Sequence, residues 1–331
     1  MHISERPMQH SSIPCGRLAP SPTGHIHLGN AWAFLLAWLA ARSQGGQVLL
    51  RLEDIDPQRS RPDYAAAILE DLRWLGLDWD YGPDTGGPGG PYVQSLRSEI
   101  YDTALTQLEQ SGLTYPCFCT RKELRQLAAA PHVDDTGAPY PGTCRHLNEE
   151  QIQAMLQSGR KACMRLRCPQ TPIRFDDAVM GPQSFLLSRC GGDFALRRSD
   201  GVVAYQLAVA VDDALMGVTQ VVRGRDILPS TPRQIALLEL LGYGAPSYAH
   251  VPLLLDAEGE RLAKRHNSLS LRCLREQRVD PRRITGLLGH LAGLTFSAAS
   301  ASPAELMPAF DWSRLPRQDV RLEHRHLRGL L

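Results

Sequence analysis

Long apolar runs are missing from this sequence. No stretch is apolar for long enough to span a bilayer as a helix, which excludes a helical membrane protein. Residues 1–14 are polar and lack the apolar centre of a signal peptide, so they read as a flexible tail on a cytoplasmic protein. An excess of one charge is missing too. With 36 basic and 35 acidic side chains the net charge is +1, so no global basic field advertises a nucleic-acid partner, and RNA would have to be met by a local patch. Eight cysteines among 331 residues are too few for a disulfide scaffold. What is present fits a soluble globular chain, 43% hydrophobic and 21% charged, long enough for one large domain or two to three small ones.

One stretch organises the rest. Arg17-Leu-Ala-Pro-Ser-Pro-Thr-Gly-His-Ile-His-Leu-Gly-Asn30 starts as a short apolar strand, breaks at two prolines, turns through Thr23-Gly24 and feeds the helix-forming run Asn30–Ala41. A loop that enters a helix N-terminus presents free N–H groups and the positive end of the dipole, which suits a phosphate. Gly24 and Gly29 let backbone approach a ligand, and His27 adds a side-chain donor.

Downstream, Gln47–Glu53 reads as a buried strand of a parallel sheet, ending in acidic residues where open α/β sheets bind ligands. Asp56 fits a solvated turn equally well. Arg59–Leu75 and Ile100–Gln110 read as helices. Lys161–Arg167 and Ile173–Asp177 read as strands of a small module around the cysteines. Tyr205 opens an apolar stretch that reads as core. Gln220–Arg223 is a strand whose arginine can hold a carboxylate in a fork, with Ser230 or Thr231-Pro232 capping the helix after it. His250–Leu255 is the last clear strand, Asp280–Leu294 makes one helix, and the Ala/Ser/Pro-rich residues 297–331 read as a loose tail.

Cys117 and Cys119, with Cys144 beyond them, supply three soft ligands, and zinc wants four in a tetrahedron. Tyr140, His132 and His146 all stand within reach as the fourth. On ligand chemistry alone a histidine is favoured, because phenolate is an unusual partner. The other cysteines have no ligand spacing.

The string Pro-Ser-Pro-Thr-Gly-x-x-His-Leu-Gly-Asn resembles the first signature of class I aminoacyl-tRNA synthetases in its glutamyl form. His27-Leu28-Gly29-Asn30 stands where that family has a His-Ile-Gly-His tetrad. The blocks at Gln94-Ser95 and Arg223–Gln234 are similar to it as well. Arg261-Leu262-Ala263-Lys264-Arg265 stands at the second signature, with Arg and Ala replacing its first Lys and its Ser. The resemblance covers about residues 15–270.

It implies a Rossmann-like, doubly wound parallel α/β sheet with two halves at 15–116 and 191–256. An inserted zinc-containing α+β module facing tRNA lies at 117–190, followed by a signature loop and short helical part at 257–296. It also implies adenylation of glutamate by ATP with Mg²⁺. Arg17, Ala19, Ser21, Glu53, Tyr205 and Arg223 are implied for glutamate, which arginine meets which carboxylate being left open. Thr23, Gly24, His27, Gly29, Asn30 and Lys264 are implied for ATP, with His27 and Lys264 catalytic.

Only about sixty residues follow the second signature, too few for the helical domain with which ordinary glutamyl synthetases read the anticodon. The expected kinship is therefore with the family's tRNA-modifying branch. Its members are monomeric cores that attach glutamate to the queuosine base of tRNA(Asp), and their zinc set maps onto Cys117, Cys119, Tyr140 and Cys144. A core that charges a tRNA 3′ end, and a non-catalytic RNA-binding module, are the alternatives.

Overall fold

The computed structural model describes residues 13–120, 122–124, 140–262, 269–328 and 330. In chain order its elements begin with β1 (Cys15–Leu18), α1 (Leu28–Arg42), β2 (Gln47–Leu50), α2 (Pro62–Trp74), α3 (Ser98–Gln110) and β3 (Thr114–Cys117). There follow α4 (Glu149–Gln157), β4 (Cys163–Leu166), β5 (Ile173–Asp177), β6 (Gly181–Phe185), β7 (Ala195–Arg197), α5 (Tyr205–Leu215) and β8 (Gln220–Gly224). The last are α6 (Thr231–Leu240), β9 (Ser247–Val251), β10 (Leu254–Leu255), α7 (Leu271–Glu276), α8 (Pro281–Leu291), α9 (Pro303–Leu306), β11 (Val320–Arg321) and α10 (His324–Arg328).

The central sheet runs β2-β1-β8-β9-β5-β6, parallel except for the antiparallel edge strand β6. Two apolar layers cover it. One packs α1, α2 and the C-terminal helices against a face, with Trp32, Leu36, Ile68 and Leu288 buried there. The other packs α3, α5 and α6 through Tyr101, Leu105, Leu207 and Leu237. Helix α1 is buried on nearly all sides, as its Ala/Leu/Trp composition requires. It lies close on β1: a Cβ at Gly16 would sit 3.0 Å from Ala41 Cβ. β1 leads through α1 to β2 on one side, and β8 leads through α6 to β9 on the other. The carboxyl ends of β1 and β8 therefore flank a topological switch point, where open α/β sheets bind ligands.

A second, three-stranded antiparallel sheet, β3-β4-β7, carries the cysteines. Two placements differ from the sequence reading. Strand β5, expected beside the cysteines, pairs with β9 in the main sheet at Asp177↔Tyr248. Residues 297–331 are also not a loose tail where they are described. Leu306, Leu315 and Leu322 are buried, and β11 pairs in parallel with β10. Both depend on partners distant in sequence, which local composition does not encode.

Candidate active site

A cleft of about 520 Å³ opens at the switch point. Its floor is the loop between β1 and α1. Thr23 N–H donates to Ser21 O at 2.8 Å to close the turn, and His27 takes the N-cap of α1. Asn30 N–H donates to His27 Nδ1 at 3.3 Å and His27 N–H to Asn30 Oδ1 at 3.4 Å, a reciprocal box. With Nδ1 accepting, the neutral imidazole carries its proton on Nε2. A Cβ at position 29 would stand 3.0 Å from the ring, so Gly29 gives His27 its room.

The structure brings Arg17, Ala19, Ser21, Glu53, Tyr205 and Arg223 to the walls of this cleft. Thr23, Gly24, His27, Gly29 and Asn30 line the same space. Tyr205, read as core, is instead 37% exposed. Lys264 lies outside the described residues. Arg261 and Leu262 just before it reach the cleft, with Arg261 Nη1 3.4 Å from Asp226 Oδ2.

Charge in the floor is balanced by residues that sequence reasoning missed. Arg51, fully buried, donates from Nη1 to Asp213 Oδ1 at 2.7 Å and from Nη2 to Glu53 Oε1 at 3.0 Å. Asp212 accepts from Arg97 Nε at 2.7 Å, Gln94 Nε2 at 2.8 Å and Tyr101 Oη at 2.9 Å. Arg17 donates from Nη1 to Val222 O at 3.1 Å and places Nε 3.6 Å from Asp213. Burial raises the Glu53 carboxyl above its ordinary range, while Arg51 and Arg17 pull it back. A charged residue inside an apolar strand was the available signal for Arg51, since it obliges a buried partner. Of the two expected caps of α6, Ser230 takes the N-cap position but makes no side-chain cap bond, and Thr231 Oγ1 instead accepts from Arg223 Nη2 at 2.7 Å.

With this geometry in place, comparison with known proteins is informative. Residues 15–312 match the family model described as tRNA synthetases class I (E and Q), catalytic domain. The chain belongs to this family. It is thus an aminoacyl-tRNA synthetase by descent, and a ligase. It is 62% identical to the Glutamyl-Q tRNA(Asp) synthetase of Nitratidesulfovibrio vulgaris, across 92% of this chain and 94% of that one. It is 51% identical to the protein of the same name from Symbiobacterium thermophilum, across 93% and 95%. Glutamate–tRNA ligase 2 of Nitrosococcus oceani is 42% identical over 94% of this chain and 66% of its own length. In three dimensions the chain is similar to the glutamate–tRNA synthetase of Elizabethkingia anophelis, with a TM-score of 0.82, 29% identity and coverage of 95% and 68%.

Away from the cleft, the Sγ atoms of Cys117, Cys119 and Cys144 lie within 4.8 Å of one another. Cys119 and Cys144 Sγ are 3.7 Å apart, as two ligands of a tetrahedral zinc with bonds of about 2.3 Å would be. The Tyr140 hydroxyl lies 3.3 Å from Cys117 Sγ and accepts the Cys144 N–H at 2.8 Å. Phe118 N–H points to Cys144 Sγ at 3.5 Å. Hydrogen bonds from Cys163 and Tyr140, opposed by burial, hold the Cys117 thiol well below its ordinary value. These donors fit a thiophilic cation. No described histidine joins them, and His132 lies outside the described residues.

Proposed function

We propose that this synthetase activates glutamate with ATP, without requiring tRNA for that step, and transfers it to the queuosine base at the wobble position of tRNA(Asp). One observation carries the first half: buried Arg17 and Arg223 line the same cleft as Glu53 and as the loop and first turn that open helix α1. Glutamate brings two carboxylates and an ammonium, and ATP brings phosphates, so the set of two arginine forks and one carboxylate suits the amino acid. The helix end suits the triphosphate. The printed name of the relatives at 62% and 51% identity supports the second half.

In this reading an α-carboxylate oxygen of glutamate attacks the α-phosphorus. The bond from that phosphorus to the bridging oxygen breaks, and pyrophosphate leaves with the electron pair. The transition state gathers charge on the phosphoryl oxygens, which the N–H groups of the loop, His27 Nε2–H and Lys264 are placed in sequence to meet. Arg17 and Arg223 take the carboxylates, Glu53 the ammonium, and Tyr205 adds a hydroxyl. Ala19 and Ser21 present the backbone beside the substrate, while Gly24, Gly29, Thr23 and Asn30 shape the phosphate floor. Mg²⁺ accompanies ATP as part of the substrate. Acceptor attack on the glutamyl carbonyl carbon then releases AMP. Cys117, Cys119, Tyr140 and Cys144 would hold zinc, which supplies structural cross-linking of the small sheet.

The test is ATP–pyrophosphate exchange with glutamate, with and without tRNA, followed by analysis of the product linkage. Glutamate-dependent exchange in the absence of RNA, and glutamate recovered on the modified base, are expected. Glutamate on the 3′-terminal ribose would overturn the queuosine assignment in favour of end charging. Absence of exchange under both conditions would overturn the catalytic reading.

A further inference from the structure

Arg223 is held from three directions. Its Nε donates to His250 Nε2 at 3.1 Å, and its Nη2 donates to Thr231 Oγ1 at 2.7 Å. The guanidinium carbon lies 5.7 Å from the centroid of the Tyr248 ring, which is itself stacked on His250. Thr231 Oγ1 and His250 Nε2 are 3.0 Å apart, closing a triangle of polar atoms. Behind it, His250 Nδ1 meets Asp177 Oδ2 at 2.6 Å, and the backbone N–H of His250 also donates to that carboxylate at 3.1 Å. Both side chains are fully buried. The only guanidinium nitrogen of Arg223 left without a partner is Nη1, and it too is buried, on a residue that lines the cleft.

The tautomer follows from chemistry. Nε2 accepts from an arginine, which cannot itself accept, so the ring proton is on Nδ1 and is donated to Asp177. Burial first of all, then the neighbouring arginines, push His250 down to about 4, opposed by Asp177, so the ring is neutral at working pH. Burial raises the Asp177 carboxyl, yet hydrogen bonds from His250 and Met180 hold it below its ordinary value. A protonated ring would present N–H to an N–H and lose the contact.

We propose that Asp177 and His250 are positioning residues for substrate binding: Asp177 fixes the His250 tautomer, and His250 with Thr231 orients Arg223 so that Nη1 is reserved for a glutamate carboxylate. The proposal rests on the glutamate-activation reading and deepens it. Neither Asp177 nor His250 touches the substrate in it. Their contribution is a guanidinium that arrives already oriented, which lowers the ordering cost of binding.

Three variants separate this role from a purely structural one. His250→Asn keeps an N–H toward Asp177 but has no atom at Nε2. His250→Gln can put an acceptor near the Nε2 position. Thr231→Val removes the acceptor for Nη2. Each is measured for the KM of glutamate, the KM of ATP and kcat in pyrophosphate exchange, beside its melting midpoint. His250→Asn is expected to raise the glutamate KM about 10- to 100-fold, the value of one hydrogen bond to a charged group, with the ATP KM within about 2-fold of wild type. His250→Gln should restore most of that loss, and Thr231→Val should raise the glutamate KM selectively. Equal effects on both substrates, equal behaviour of the Asn and Gln variants, or an unchanged glutamate KM would overturn it. If His250→Asn does not fold, Thr231→Val decides alone, selective loss supporting the proposal and its absence overturning it. Wild-type protein without glutamate-dependent exchange defeats the activation reading and the proposal together, whereas active wild type with indifferent variants defeats only the proposal.

Discussion

Around the cleft, buried charge meets buried countercharge from the same chain: Arg51 against Asp213 and Glu53, Arg97 against Asp212. Around the cysteines, three sulfurs and a phenol converge, and the nearby cation is Arg165, whose guanidinium lies 3.9 Å over the Tyr140 ring. The apolar support differs as well. The cleft rests between two extensive layers, whereas the cysteine site has a small cluster built on Tyr115, Phe118 and Tyr140 with the cysteines themselves. A site built on internal ion pairs is assembled when the sheet folds. A site built on converging thiols would be completed by a cation from outside, and on the proposed zinc reading its local stability should follow that cation.

On the proposed zinc reading, removing the metal is the sharpest way to break this contrast. Chelation, or Cys144→Ser, is expected to cost the small sheet on the order of 10 kcal/mol of local stability. Hydrogen exchange would rise across β3, β4 and β7 and stay unchanged in β1 and β8. Uniform loss of protection in both sheets would erase the distinction. Arg51→Met attacks the other side. It takes from Asp213 and Glu53 the arginine that bonds both, and a loss of about 3–5 kcal/mol in denaturant unfolding is expected.

Acid should act on the cleft side through His250, whose folded value of about 4 lies below its ordinary 6.5. The unfolded chain binds the proton first, so stability is intact above pH 6.5 and falls as pH drops toward 4. The loss amounts to about 3 kcal/mol, readable as a shift in urea midpoint that His250→Gln abolishes. The smallest effect is expected at the exposed pair Arg282–Glu305, where Arg282→Ala should leave exchange activity and melting midpoint unchanged.

The same contrast explains what could be read from the sequence. The cleft floor was legible because its residues lie within one continuous run, Arg17–Asn30, whose turn and cap chemistry is local. The cysteine site was legible from Cys117, Cys119 and Cys144 because soft ligands are rare and closely spaced. Arg51, Asp213, Asp177 and His250 were not found. They meet across 162 residues in one pair and 73 in the other, and each alone passes for a core exception or a helix end. Thr231 departs from its expected capping role for a related reason: a Thr before Pro is good cap chemistry, and only the fold shows that Arg223 claims its oxygen. The two-residue strand β11 carries no periodicity to detect and exists through its pairing with β10.

Asp319, just before β11, accepts from the backbone N–H of Leu253 and from Arg225 Nη2, each at 2.7 Å, and Leu253 lines the cleft. The last strand is thus a tether on the strand that leads into the second signature. For anyone engineering this enzyme, its C-terminal end is not neutral ground: a fusion or deletion that pulls Asp319 away would be transmitted to the cleft wall.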